Sequence, residues 1–135
     1  MREILFRGKD IAGNLHYGDL INLTEEIKQI CNHTQLEYAH FVNPETVGQY
    51  TGLTDKNGKK IFEGDIVKVE SDLYHGENKK ERVTRIGVVV FDEKFCQFGI
   101  DIKGFSKCCT LHRWEGDFNE VIGNIHDNPE LLKGD

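Results

Sequence analysis

Proline and serine are scarce in this 135-residue chain, which holds only Pro44 and Pro129, and only Ser71 and Ser106. So few prolines leave no proline-rich linker, and no low-complexity segment occurs. So few serines leave no G-x-S-x-G element for a serine nucleophile. No apolar run approaches the ~20 residues that a transmembrane helix needs. Basic charge is not in excess: 17 Lys and Arg stand against 23 Asp and Glu, for a net charge of −6. A general nucleic-acid binder is normally basic, because phosphate contacts need Lys and Arg. The balance argues against a non-specific DNA coat. Lys and Arg are spread along the chain, so it does not read as a DNA mimic either.

What is present suits a soluble protein of short strands and many turns. Hydrophobic residues make up 38%, charged residues 30%, and glycine is frequent at 14. The length is enough for one domain with a real core. The start, Ile4-Leu5-Phe6, runs straight into a strand-like segment, so no secretory leader is expected. A cytoplasmic location with reduced thiols follows for Cys31, Cys96, Cys108 and Cys109.

Turn and strand signals concentrate between Gln49 and Val67, read as QYTGLTDKNGKKIFEGDIV. Asp55-Lys56-Asn57-Gly58 is a strong turn signal, because Asp accepts hydrogen bonds from its own downstream backbone and Asn and Gly tolerate positive φ. Either an Asn-Gly hairpin or a type I turn with Gly58 in a bulge fits. Glu63-Gly64-Asp65 reverses the chain again and launches Ile66-Val67-Lys68-Val69, a β-branched run.

The rest of the chain reads as follows. Ile4–Phe6 and Leu15–Tyr17 form a hairpin across a polar connection containing Gly13. Asn22 or Thr24 caps a short helix with Leu23, Ile27, Ile30 and Cys31 as its apolar stripe. Leu36–Val42 is a strand. Asn43 caps a turn with Pro44 in first position. Glu70–Glu81 is a polar connection with Gly76-Glu77-Asn78-Lys79 as its loop tip. Arg82–Asp92 and Phe95–Ile102 are strands, the second with Phe98, Ile100 and Ile102 alternating. Cys108–Trp114 and Val121–Ile125 are further strands, and Asn128 caps a short helix at Pro129. About eight or nine short strands result, at the spacing of small barrels and rolls.

Several of these strings resemble the YopX family of phage- and prophage-encoded small proteins. Gln49–Val67 resembles its signature. Met1–Arg7 resembles its opening strand, Gly87–Asp92 its central strand, and Val121–Leu131 (VIGNIHDNPEL) its C-terminal signature. The resemblance implies an SH3-type small barrel in the C-terminal part and a phage origin. It brings no molecular role with it, since none is established for the family. The expected fold is therefore mainly β, with an N-terminal β segment carrying one short α-helix and an SH3-type barrel or roll after it. One domain spans 1–135, divisible into subdomains 1–48 and 49–135.

The candidate chemistry is thin. A zinc site wants ligand pairs such as C-x2-4-C. Cys108 and Cys109 are adjacent and point to opposite faces of a strand. Cys31 and His33 with Cys109 or His112 make no regular pair of pairs. Cys96 and one of Cys108 and Cys109 read as small core residues. Neither a P-loop nor a dinucleotide glycine motif occurs. Asp55–Gly58 lacks the alternating acids of a calcium loop. Asp65 reads as a residue that fixes its turn, and Asp92 and Asp117 as strand-end residues. No catalytic, cofactor or metal residue is assigned, and an enzyme with an unrecognised site is the least favoured alternative.

Binding is the reading that remains. Lys56, Lys59 and Lys60 sit on one turn, and Lys79, Lys80, Arg82 and Arg85 near another. Of these, Lys56, Lys59, Lys60, Lys79, Lys80 and Arg82, with Tyr50 and Trp114, are the candidate macromolecule-binding residues, by stacking and phosphate contact or as a protein interface. Charged turn tips are usually just solvated, and lysines also guard sheet edges. Phe95, Phe98 and Phe105 are further anchor candidates, with Phe98 preferred as core. The expected protein is a non-enzymatic accessory factor in a bacterial host cell. It binds a host or phage protein and self-associates, with nucleic acid as the alternative partner and no membrane involved.

Overall fold

The computed structural model describes residues 3–32, 35–74, 77, 80–102, 109–110 and 119–133. The chain forms two compact units, Met1–Gly52 and Leu53–Asp135.

The first unit is an antiparallel sheet. Its strands are β1 (Phe6–Lys9), β2 (Leu15–Asn22), β3 (Lys28–Asn32), β4 (Gln35–Val42) and β5 (Gly48–Thr54), which runs on into the second unit. Their order is β4-β3-β2-β1-β5. Ile30 lies opposite Leu20 on one side and His40 on the other, and it is fully buried. Residues paired across antiparallel strands share a face, so these three point the same way. Past Val42 the chain returns to β1. Asn43 N–H donates to the Lys9 carbonyl at 2.8 Å, and Lys9 N–H donates to Thr46 Oγ1 at 2.9 Å. Asn43 caps the 3-10 turn Pro44–Thr46 as the sequence predicts, its side chain accepting from Glu45 N–H.

The helix expected from Asn22 is not there, and the described residues contain no α-helix. β2 runs through Asn22, the chain reverses over Leu23–Ile27, and β3 follows. Thr24 Oγ1 accepts from the N–H groups of Glu26 and Ile27, at 3.1 and 3.0 Å. Those are the bonds of a helix cap, made here in a hairpin turn. A helix of so few residues is marginal by itself. Pairing β3 with both β2 and β4 satisfies the same backbone and buries Ile30. Leu23 and Ile27, half of the anticipated stripe, are left exposed.

The second unit contains β6 (Lys60–Phe62), β7 (Asp65–Tyr74), β8 (Lys80–Asp92), β9 (Gln97–Ile102), β10 (Cys109–Thr110), β11 (Asn119–Asn124) and a 3-10 turn, Pro129–Leu132. The last five strands form an antiparallel sheet in the order β10-β9-β8-β7-β11. Its core is one apolar cluster of Ile61, Val67, Val69, Val89, Ile100 and Ile102, with Leu53, Phe98 and Val121 packed against it. Each such residue contributes about 1.5–3 kcal/mol by leaving water. The alternation of Phe98, Ile100 and Ile102 is the inward face of β9, and Asp101 between them is exposed.

Two local features differ from the expectation, and a third agrees with it in part. Glu70–Glu81 is not a connection throughout: β7 continues to Tyr74 and pairs with β8 back to Lys80. Cross-strand polar pairing sustains this stretch, with Arg82 Nη2 donating to Glu70 Oε2 at 3.2 Å. Cys96 is not a core residue. It is exposed, at φ 50°, in the turn between β8 and β9. Asn128 takes the N-cap position of Pro129–Leu132 as expected, but it makes no side-chain capping bond, and its side chain instead accepts from Asn124 N–H at 3.3 Å.

Candidate functional site

The residues of the signature segment act on one another. At Asp55 the chain makes a type I turn followed by a glycine bulge. Gly58 N–H donates to the Asp55 carbonyl at 3.0 Å, and Asp55 N–H donates to the Lys59 carbonyl at 2.8 Å. Gly58 takes φ +79°, whereas Asn57 is not among the positive-φ residues. That settles the alternatives in favour of the bulge, because a type I′ turn needs positive φ at Asn57.

The Asp55 carboxylate is the hub. Its Oδ1 accepts from Asn57 N–H and Lys59 N–H, each at 2.9 Å. Its Oδ2 accepts from Val121 N–H at 2.9 Å, across 66 residues of sequence. Lys56 N–H adds a bond to the Asn119 carbonyl at 3.0 Å. One buried side chain thus closes its own turn and holds β11 to it.

The second reversal works likewise. Asp65 Oδ2 accepts from Phe62 N–H at 2.7 Å, so Asp65 fixes its turn as the sequence predicts. Gly64, at φ +91°, donates to the Val89 carbonyl at 2.8 Å and accepts from Ile125 N–H at 3.0 Å. The C-terminal string is also folded on itself. Asn124 Oδ1 accepts from His126 N–H and Asp127 N–H at 3.0 and 2.9 Å. The segments that carry the family resemblance therefore meet at Asp55–Val121 and at Gly64–Ile125.

Each candidate binding residue that the structure describes has its own local setting. Tyr50 is 8% exposed, so its ring offers no free stacking surface. Lys56 lies 3.5 Å from Glu120, which also lies 3.7 Å from Lys68. Lys59 is exposed at the turn tip, and Lys60 begins β6. Arg82 is paired with Glu70. Lys80 sits opposite Tyr74 in the ladder. Lys79, Phe105, His112 and Trp114 lie outside the described residues, as do Cys108, His33 and Asp117. Among the described residues no group of His, Cys, Asp or Glu is placed to hold a metal ion. None of their helices is long and apolar enough to cross a membrane.

The first unit shows features that sequence reasoning missed. Asp10 repeats the Asp55 turn. Its Oδ1 accepts from Ala12 N–H and Asn14 N–H, each at 2.9 Å, and Gly13 N–H donates to its carbonyl at 3.0 Å. Its Oδ2 lies 2.8 Å from His16 Nε2. The His16 hydrogen bond and the Asn14 backbone N–H hold the Asp10 carboxyl at about 2, below the ordinary 3.8. The His16 ring stacks on His40 at 3.9 Å between centroids. Tyr17 on β2 and Tyr38 and Phe41 on β4 are exposed at 50, 59 and 64%. The Asp-x-x-Gly-Asn string was the available signal for the turn. The exposure of the aromatics had no signal, because an alternating strand does not say which face is covered.

The chain's likeness to known proteins bears on its identity. The crystal structure of protein EF1440 from Enterococcus faecalis matches 98% of this chain and 99% of its own, at 21% identity and a TM-score of 0.55, which shows a shared fold. No curated protein matches the chain. The YopX protein family model matches residues 7–133, including both strings that Asp55 and Gly64 hold together. The chain belongs to the YopX family.

Proposed function

We propose that this protein is a non-enzymatic phage or prophage accessory factor in the bacterial cytoplasm that binds another protein and also self-associates. The observation that carries the reading is the exposure of Tyr17, Tyr38 and Phe41 on strands of the first unit. Large aromatic side chains left in water on regular strands are characteristic of surfaces that bind partners. The charge distribution supports protein over nucleic acid. Lys56 and Arg82, two of the basic candidates, lie within ion-pair distance of Glu120 and Glu70, whose charge offsets theirs at the surface. The SH3-type barrel implied by the family resemblance belongs to this proposal for Leu53–Asp135, supported there by an antiparallel sheet around one apolar cluster.

The test is capture from phage-infected cells with the tagged full chain, beside a Tyr17→Ser, Phe41→Ser double variant. Light scattering reports self-association of both. The reading expects a protein retained by the native chain and lost by the variant. An unchanged captured set contradicts it, and so does material that nuclease removes.

A further inference from the structure

The Asp55 turn holds a reactive pair that its structural role does not use. Asn57-Gly58 is the only Asn-Gly pair in the chain, and Asn57 is exposed. An asparagine followed by glycine is prone to intramolecular attack, because the next residue has no Cβ to hinder approach. The nucleophile is the Gly58 backbone nitrogen, and the electrophile is Asn57 Cγ.

In the folded turn this nitrogen is held away from its target. Gly58 N–H is committed to the Asp55 carbonyl at 3.0 Å, and the Asn57 N–H to Asp55 Oδ1 at 2.9 Å. Asn57 occupies the third position of a type I turn, where ψ lies near 0°. Ring closure requires rotation away from that value and rupture of the Gly58 bond.

We propose that Asn57 is a spontaneous deamidation site gated by the fold: it reacts when the Asp55 turn opens, and its product loosens the hold on β11. In the first step the Gly58 nitrogen bonds to Asn57 Cγ and the Cγ–Nδ2 bond breaks. The Gly58 proton leaves with the side-chain nitrogen as ammonia. Water then opens the cyclic imide at either carbonyl, giving aspartate or isoaspartate. Water is the only co-reactant, and nothing is oxidised or reduced.

The consequence follows from the Asp55 hub. Isoaspartate moves one methylene into the main chain between the two N–H groups that Asp55 Oδ1 receives, those of Asn57 and Lys59. The same carboxylate holds Val121 N–H at 2.9 Å. Displacing it weakens the tie to β11, and a new carboxylate appears beside Lys56 and Lys59.

The experiment incubates the full chain at mildly alkaline pH, folded and in guanidinium. Peptide mapping by mass spectrometry then separates asparagine, aspartate and isoaspartate at position 57. The folded chain is expected to react at least ~10-fold more slowly than the unfolded one, because only the open fraction reacts. Asp55→Asn is expected to bring the folded rate towards the unfolded rate. Asp10→Asn, which alters the matching turn of the first unit, is expected to leave it unchanged. Chains carrying isoaspartate are expected to exchange the Val121 amide faster. Equal rates with and without guanidinium overturn the gate. No conversion in either condition overturns the site. An Asp10→Asn effect as large as that of Asp55→Asn means general unfolding and overturns the turn-specific account. Unchanged Val121 exchange after conversion overturns the link to β11.

Discussion

The turns at Asp10 and Asp55 are the same device used to different ends. In each, Oδ1 accepts the N–H groups two and four residues on, all at 2.9 Å. In each, a positive-φ glycine three residues on donates to the aspartate carbonyl at 3.0 Å. The second carboxylate oxygen makes the difference. At Asp10 it meets His16, six residues away, and stays within one hairpin. At Asp55 it receives Val121, 66 residues away, and ties a hairpin to the far strand of a sheet. Asp10 closes a turn, whereas Asp55 closes a turn and part of a tertiary structure.

Removing each carboxylate is the most severe test of that contrast. Asp55→Ala strands the N–H groups of Asn57, Lys59 and Val121 beside a buried position, for a loss of about 3 kcal/mol. Asp10→Ala acts at an exposed turn and should cost markedly less. Urea denaturation compares the two directly, and equal losses would break the contrast.

The glycines should behave alike, because both turns demand the same backbone. Gly13 sits at φ +88° and Gly58 at φ +79°, with nothing within 4 Å of a Cβ added at either. Gly13→Ala and Gly58→Ala should each cost about 1–2 kcal/mol, by strain alone. A much larger loss at Gly58 would mean that the glycine itself, and not only the carboxylate, serves the tie to β11.

Acid titration sharpens the Asp10 side. Its carboxyl is held below the unfolded value, so its contribution is fully present above about 4. It is lost as the pH falls through the folded value of about 2. Asp10→Asn should lower stability at neutral pH, leave it little changed below the folded value of about 2, and so flatten that part of the stability profile. The smallest effect is expected at Lys56→Ala. Its 3.5 Å ion pair with Glu120 is partly exposed and should be worth no more than about 0.5 kcal/mol in the same denaturation.

The sequence was legible where the signal was local and chemical. Asp55-Lys56-Asn57-Gly58 reads as a turn from composition alone, and Asp65 as a turn-fixing residue. Phe98, Ile100 and Ile102 declare an inward face by alternation. It misled where one local bond serves two structures. Thr24 makes the same hydrogen bonds at a helix start and in the β2–β3 hairpin, and only pairing with β4 decides between them. It was silent where long-range packing decides. Nothing near Tyr50 marks its ring as buried, and nothing in Tyr17 or Phe41 marks them as exposed. Cys96 was misplaced because residue type suggested the core while its turn demanded a left-handed backbone at the surface. The partner of Asp55 Oδ2 was likewise invisible, since a main-chain N–H 66 residues away leaves no mark in composition.

The central claim is that the Asp55 carboxylate joins the signature turn to β11. Amide hydrogen exchange on native protein and on Asp55→Asn measures it most directly. The account predicts that protection at Asn57, Lys59 and Val121 falls together in the variant, while Ala12 and Asn14 keep theirs. Val121 protection that stays at the native level while the turn amides lose theirs would contradict it.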